Sequence, residues 1–249
     1  MTARARARTM LMAAAALFAL IVWGAVGLPD FGHYVGPYGD VIARSVVPER
    51  HVTGVVSAIV FDYRGIDTLG EEFILFVSVL GVSLLLREQR GEPGEPAQEA
   101  AQVERLPASS DAVRVLGVML IGALVVVGLY IVAHGQLTPG GGFQGGVILG
   151  AAVILVYFAG EFVAASVLRP ASWMEHAHAG GAAGLALLGV GGMLAGGAYL
   201  HNFVSKGTTG MLLSGGTIPL GNVAVGLEVF GAMLLLASEF LEESVGQRS

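Results

Sequence analysis

The chain has 249 residues, 54% hydrophobic and 13% charged, whereas an ordinary soluble domain carries about twice that charged fraction. A formal net charge of −6, with 13 Lys and Arg residues, argues against nucleic-acid binding, because phosphate recognition needs clustered basic side chains. Without cysteine, the chain forms no disulfide, iron–sulfur cluster or thiolate metal site of its own. This composition predicts an all-α polytopic membrane protein.

The first apolar run extends from Met10 to Leu28 and follows Arg4, Arg6 and Arg8. Because about 20 apolar residues cross the hydrocarbon core as a helix, this run predicts the first transmembrane helix. A cleaved signal peptide also begins with basic residues but usually has a shorter apolar core. We therefore expect a retained anchor.

The next part of the chain alternates between polar and apolar segments. Pro29 to Arg50 contains Pro, Gly and aromatic residues, which predicts an extramembrane loop. Val52 to Phe61 is apolar but too short to span, and it is predicted to be an interfacial or re-entrant helix. The run from Leu69 to Leu86 predicts the second transmembrane helix.

Residues 88–110 are rich in Glu, Gln, Pro and Ala, which predicts a polar cytoplasmic linker. The linker divides the chain into a two-helix module at 1–87 and a four-helix module at 111–249. About six transmembrane helices result, because four apolar runs follow the linker: Ala112–Ala133, Phe143–Leu168, Gly180–His201 and Val223–Leu241.

Glycines four residues apart would lie on one helix face and allow close helix packing. Such spacing is common by chance in a chain with 38 glycines, so it carries little weight alone. The pairs are Gly146 with Gly150, Gly180 with Gly184, and Gly192 with Gly196.

The basic residues predict the orientation of the chain. With the N-terminus in the cytoplasm, nine of them lie inside and four outside, namely Arg44, Arg50, Arg64 and Lys206. This distribution satisfies the positive-inside rule. We therefore expect a multi-pass protein of the cell (inner) membrane with both termini cytoplasmic.

A first polar patch, Phe61 to Glu72, lies at the entrance to the second predicted helix. Its charges can neutralise one another in a structural ion-pair corner, or they can form a polar site on an ion route. The ion-pathway candidates in this patch are Asp62, Arg64, Asp67 and Glu71, with Glu72 beside them.

A second patch, HGQLTPGGGFQGG, connects the third and fourth predicted helices. Consecutive glycines suit a tight structural turn, close helix packing or backbone coordination of a cation. The segment lacks the Lys of a phosphate-binding loop. Its structural residues are His134, Pro139, Gly140, Gly141, Gly142, Phe143, Gly145 and Gly146.

Two further carboxylates lie inside predicted spans, where an unpaired charge costs at least about 2.5 kcal/mol. Glu228 is the stronger ion-pathway candidate, and structural hydrogen bonding is its alternative role. Glu161 is the weaker candidate, because it lies in the cytoplasmic half of its predicted helix, within reach of interfacial water.

Neither a metal site, nor a cofactor, nor a catalytic residue is predicted. His176 and His178 lie beside Glu175 on a predicted short cytoplasmic loop, where a solvated or interfacial pair is expected rather than a metal site. No G-x-S-x-G nucleophile motif is present. The chain is therefore not expected to be an enzyme.

The second patch, followed by GVILGAAVILVYFAG, resembles the hallmark segment of the B subunit of Mrp-type (Mnh) sodium/proton antiporters. The resemblance covers about Asp111 to Glu243. It implies four helices with this loop between the first two, and a carboxylate in the last helix, where Glu228 stands.

The stretch from about Val47 to Arg87 is similar to the C-terminal part of the antiporter A subunit and to the E subunit of membrane-bound hydrogenases. The resemblances imply a fusion of two modules within a complex that exchanges sodium for protons, with other subunits, the lipid bilayer, sodium and protons as partners. A subunit of a hydrogenase or other respiratory complex is one alternative. A purely structural assembly subunit is another.

Overall fold

The structure is a computed structural model that describes residues 3–28, 36–89, 111–160 and 172–246. Within these ranges it is helical and contains no strand. Contacts divide the chain into two units, Met1–Ile42 and Ala43–Ser249. The α-helices are α1 (Ala3–Val26), α2 (Pro37–Arg50), α3 (Val55–Ala58), α4 (Gly65–Gln89), α5 (Asp111–Ala133), α6 (Gly142–Gly160), α7 (Ser172–Leu194) and α8 (Ile218–Gly246).

Helix α1 belongs to the first unit and matches the first predicted span. Its apolar part, Arg8–Val26, has 19 residues, long enough to cross the hydrocarbon core. Its large apolar side chains, such as Phe18 and Trp23, are exposed, as expected for a helix whose solvent is lipid.

Helix α2 corrects the prediction of a loop from Pro29 to Arg50. The helix begins at Pro37, and proline is favoured in the first turn because its fixed φ suits a helix and its missing N–H has no intrahelical acceptor there. Asp40 in the first turn and Arg50 in the last turn complement the helix dipole. Proline therefore begins this helix instead of breaking the segment.

Helix α8 is the centre of the second unit. It packs against α4, α5, α6 and α7, and 56% of its apolar window is buried, compared with 11% for α4 and α5. The buried residues Met174, Ala232 and Leu234 form a core between α7 and α8, which Val79 of α4 completes. A polar side chain on the buried face of α8 is therefore shielded by the neighbouring helices.

Five of the described helices are long and apolar enough to cross a membrane. They are α1, α4, α5, α7 and α8, which confirms an all-α polytopic membrane protein. The described apolar part of α6, Gly142–Leu155, is shorter than a span. Its predicted continuation to Leu168 lies outside the described residues, so the sixth span stays a prediction.

Glycines bring these helices into close contact. A Cβ on Gly146 would lie 2.7 Å from the Gly226 carbonyl oxygen, and one on Gly150 would lie 2.7 Å from the Met233 side chain. Gly181 packs in the same way against the backbone of Glu228. The predicted Gly146 and Gly150 face is confirmed, whereas Gly180 has no neighbour within 4 Å of its Cβ position.

The predicted short helix exists as α3, which continues into a π-helical segment, Ile59–Tyr63, before α4 begins at Gly65. Hydrogen bonds fix this break to the loop after α5. The Gly54 amide donates to the Gln136 carbonyl at 2.9 Å, and the Ser57 hydroxyl donates to the Gly135 carbonyl at 2.6 Å. The two polar patches therefore lie at the same end of the second unit.

Candidate ion site

The two polar patches of the sequence line one cavity of about 280 Å³. Its wall also includes residues of α8, so three separate segments of the chain enclose it. The polar or backbone-exposing residues of the lining are Ser57, Thr68, Glu71, Glu72, Gly140, Gly141, Gly142, Gln144 and Asn222.

The glycine loop shapes this cavity through its backbone. Gly140 and Gly141 have φ values of +130° and +150°, a region that residues with a Cβ rarely adopt. The Gly142 amide donates to Asn222 Oδ1 at 2.9 Å, and a Cβ on Gly142 would meet the Asn222 carbonyl oxygen. The backbone angles of the glycines support the interpretation of the loop as a tight turn. The same turn forms one wall of the cavity.

Side-chain oxygen atoms border the part of the cavity beside Gly141, which is called the oxygen-lined space below. The position of a Cβ on Gly141 lies 2.8 Å from Asn222 Oδ1, 3.5 Å from Gln144 Oε1 and 3.7 Å from Ser57 Oγ. Carbonyl, hydroxyl and carboxylate oxygens are the ligands that hard cations prefer. This part of the cavity is chemically suited to a small cation.

Glu228 lies ten residues into α8, or roughly 15 Å along the helix at 1.5 Å per residue. Its side chain is fully buried, at 0% exposure, and Glu72 of α4 is 3% exposed. The two carboxyl groups interact where α4 packs against α8, and a hydrogen bond between them requires a proton on one of the two. Glu72 also lines the cavity, so it stands between the cavity and Glu228.

No basic side chain of the described residues neutralises this pair. The ion pairs in the described ranges join Arg50 to Glu49 and Asp62, and Arg64 to Asp67. Apart from their mutual contact, both oxygens of Glu228 and Oε2 of Glu72 have no hydrogen-bond partner among the described residues. Since two buried carboxylates at contact distance repel each other strongly, a proton or another cation must lie between them.

His178 of α7 lies on the other side of Glu228. Its Nδ1 lies 3.3 Å from the Glu228 carbonyl oxygen, and its ring stacks on Phe76 with centroids 4.9 Å apart. The side chain is 5% exposed, so the expectation of a solvated pair on a loop was wrong for this residue. It was wrong because α7 begins at Ser172, before both histidines; His176 is exposed, as expected.

The charges of the first patch form two separate ion pairs. Asp62 pairs with Arg50 Nε at 2.8 Å and accepts a hydrogen bond from Asn202 Nδ2 at 2.9 Å. Arg64 pairs with Asp67 at the surface. Arg50, Asp62 and Arg64 border a second pocket of about 490 Å³, and the pairing of these charges supports the structural ion-pair interpretation.

Tyr63 completes this ion-pair corner. Its hydroxyl donates to Glu49 Oε2 at 2.9 Å, and the Arg50 guanidinium lies 4.7 Å from its ring centroid. Partial burial, followed by the hydrogen bond to Glu49, raises the pKa of Tyr63 above its ordinary value. The hydroxyl therefore stays protonated at neutral pH and remains a donor.

The other predicted residues occupy varied positions. Glu71 is exposed but borders the cavity, and Glu161 lies outside the described residues. His134 is half-buried, with Nδ1 3.0 Å from the Tyr130 carbonyl oxygen. Pro139 and Phe143 are exposed, while Gly145 and Gly146 are buried.

Sequence reasoning missed three polar residues that the fold buries. The sequence predicts Glu71 as the ion-pathway candidate and gives no reason to choose Glu72, because only helix packing decides which of two adjacent acids faces the core. Asn222 and Gln136 are both 0% exposed, and Gln136 Nε2 donates to the Leu212 carbonyl at 2.6 Å. Asn222 directly precedes the apolar run Val223–Leu241, and a polar residue in that position could have been identified as a candidate from the sequence.

The sequence matches the family described as a domain related to the MnhB subunit of the Na⁺/H⁺ antiporter over residues 112–235. The chain belongs to this family. It is a multi-pass membrane protein related to antiporter subunits. The matched residues include the glycine loop, Asn222 and Glu228, whereas Glu72 lies before them.

The uncharacterized protein MJ1307 of Methanocaldococcus jannaschii is 34% identical over 203 residues, which are 73% of this chain and 74% of the relative. Two solved structures also match. The membrane-bound sulfane sulfur reductase, an archaeal respiratory membrane complex, contains a chain with a TM-score of 0.70 and 27% identity, covering 94% of this chain and 98% of that one.

The Mrp complex of Dietzia sp. DQ12-45-1b contains a chain with a TM-score of 0.69 and 26% identity. The match covers 94% of this chain and 26% of that chain. Both structural matches therefore include residues on each side of the predicted linker. The arrangement of α4 against α8, which creates the carboxyl pair, belongs to the region compared.

Proposed function

We propose that this chain is a non-catalytic membrane subunit of a multi-subunit cation/proton antiporter-like complex, in which Glu228 forms part of the ion pathway. Its partners are the other subunits of the complex and the lipid bilayer, with sodium and protons as the transported ions. Both termini face the cytoplasm of a cell whose inner membrane holds the complex. Residues 1–87 and 111–249 are two fused modules joined by the linker at 88–110.

The observation that carries this proposal is the fully buried carboxyl of Glu228 in contact with a second buried carboxyl and without a basic partner in the described chain. A structural carboxylate is ordinarily paired with donors that satisfy its oxygens. Carboxylates inside a membrane protein that lack such partners mark ion and proton pathways. The family relationship to a Na⁺/H⁺ antiporter subunit agrees with this role.

The test compares Glu228→Gln with Glu228→Leu in vesicles from an antiporter-deficient host expressing the complete complex. We expect Glu228→Gln to assemble normally and to lower sodium-dependent proton exchange by about tenfold or more, equivalent to roughly 1.4 kcal/mol of barrier. Glu175→Gln, at an exposed acid of α7, is the control. Wild-type exchange in Glu228→Gln, together with failed assembly of Glu228→Leu, would instead establish a structural role.

A further inference from the structure

Glu72 and the oxygen atoms around Gly141 border the same cavity, and Glu228 interacts with Glu72. The cavity reaches Glu72, whose Oε2 is buried and has no partner among the described residues. Glu228 does not line the cavity and is reached through Glu72. Glu72 therefore connects the cavity, with its oxygen-lined space, to Glu228.

We propose that Glu72 and Glu228 form one binding site for a single monovalent cation, at which sodium arriving through the cavity replaces a proton shared by the two carboxyl groups. This inference rests on the proposed function and adds the ligand class, the second carboxylate and the side of entry. Glu72 is the cavity-facing half of the site.

Charge balance makes this exchange feasible in a buried position. Two carboxyl groups that share one proton carry a net charge of −1. When sodium binds between them and the proton leaves, the net charge of the site is still −1. The exchange therefore avoids the large cost of creating a second unpaired charge in a medium of low dielectric constant.

The oxygen-lined space supplies the ligands that a sodium ion needs on its way to the pair. Sodium has to replace part of its hydration shell when it leaves water, and protein oxygens can provide that replacement. Asn222 Oδ1, Gln144 Oε1 and Ser57 Oγ surround the Cβ position of Gly141 within 3.7 Å. A Cβ at position 141 would crowd Asn222 Oδ1, so a glycine is needed beside these oxygen atoms.

The groups that surround the pair do not supply a competing positive charge. Glu71 precedes Glu72 on α4 and adds a negative charge near it, while the His178 ring lies against the Glu228 backbone from α7. Asp62 lines the other pocket and is already paired with Arg50. Within the described ranges no Lys or Arg pairs with the two carboxyl groups, so a shared proton or a bound cation has to neutralise one of their charges.

The experiment measures proton release by the purified complex in weakly buffered detergent solution, followed with a pH-sensitive dye. Sodium chloride is added to one sample and choline chloride to the other. The wild type is expected to release protons only with sodium. Glu72→Gln should abolish the part of this release that belongs to the pair, whereas Glu175→Gln, at an exposed acid of α7 that does not line the cavity, should retain it.

Glu72→Asp keeps the carboxyl group but shortens it, and it serves if Glu72→Gln fails to assemble. It should release the same number of protons but require a several-fold higher sodium concentration. Wild-type release in Glu72→Gln, or wild-type sodium dependence in Glu72→Asp, would overturn the pair site. Loss of exchange in Glu228→Gln with unchanged release in Glu72→Gln would leave the proposed function intact and refute this inference alone.

Discussion

The carboxyl groups of Glu72 and Glu228 lie in contact, although the two residues belong to helices on opposite sides of the predicted linker. Helix α8 packs against α4, and Phe76, one turn after Glu72, stacks on the ring of His178. The contact is therefore held by apolar packing around it. The proposed ion site therefore depends on the packing of α4 against α8.

The chain alone should not exchange sodium for protons. Its only lysine, Lys206, lies between α7 and α8, so no spanning helix carries a lysine for a proton relay. We expect proteoliposomes that contain only this chain to show no sodium-driven proton flux when a pH dye is enclosed. Flux in these vesicles, absent from protein-free liposomes, would contradict the dependence on partner subunits.

The orientation of the chain can be tested by cysteine labelling, because the sequence has no native cysteine. Ala97→Cys, beside Pro96 in the linker, should react with a membrane-impermeant maleimide only from the cytoplasmic side. Ser205→Cys, at an exposed position beside Lys206, should react only from the outside. The reverse pattern of labelling would overturn the assigned topology.

Gly142→Ala should destabilise the second unit, because its Cβ would meet the Asn222 carbonyl and lie 2.8 Å from the Gly226 amide nitrogen. Overpacking of this kind typically costs about 1–3 kcal/mol. The measurement is the temperature at which the subunit leaves the purified complex. Gly122→Ala, where no atom lies within 4 Å of the new Cβ, should leave that temperature unchanged.

Asp62→Asn should weaken the ion-pair corner without changing the sodium dependence of exchange. Asp62 is largely buried, with 9% side-chain exposure, and loss of its charge removes the shorter of the two ion pairs of Arg50, leaving only Glu49 at 3.9 Å, at a cost of about 1–3 kcal/mol. Asp67→Asn disrupts an exposed pair and should cost less than about 1 kcal/mol. Thermal stability and exchange are measured on the same preparations.

If Asp62→Asn shifts the sodium concentration for half-maximal exchange while stability is retained, the corner belongs to the ion route after all. That outcome would revive the functional interpretation of the first patch.

Hydropathy alone predicts most of the spans, because the cost of exposing a polar backbone to lipid leaves few alternatives to apolar helices. The short helix after Val52 and the break before α4 were also predicted, since the polar patch is too costly to bury in a continuous span. The loop predicted around Pro37 was wrong, because a proline is tolerated in the first turn of a helix and α2 begins at this residue.

The candidate site was only half predictable. Glu228 is conspicuous in an apolar run, so its cost at membrane depth identifies it without any structure. Its partner Glu72 cannot be chosen over Glu71 from sequence, because the choice depends on which face of α4 meets α8. The burial of His178 was also not predicted, because hydropathy places the start of this span at Gly180. In the structure α7 begins at Ser172, so His178 lies within the helix.

The central claim is that Glu72 and Glu228 act as one site, and a double-mutant cycle of exchange rates tests it most directly. Glu72→Gln, Glu228→Gln and the double variant are compared in antiporter-deficient vesicles that contain equal amounts of the assembled complex. If the residues share one cation, the double variant should lose no more activity than the more severe single variant, because effects within one site are not additive. Losses that multiply, so that the double variant is impaired by the product of the two single effects, would contradict the account.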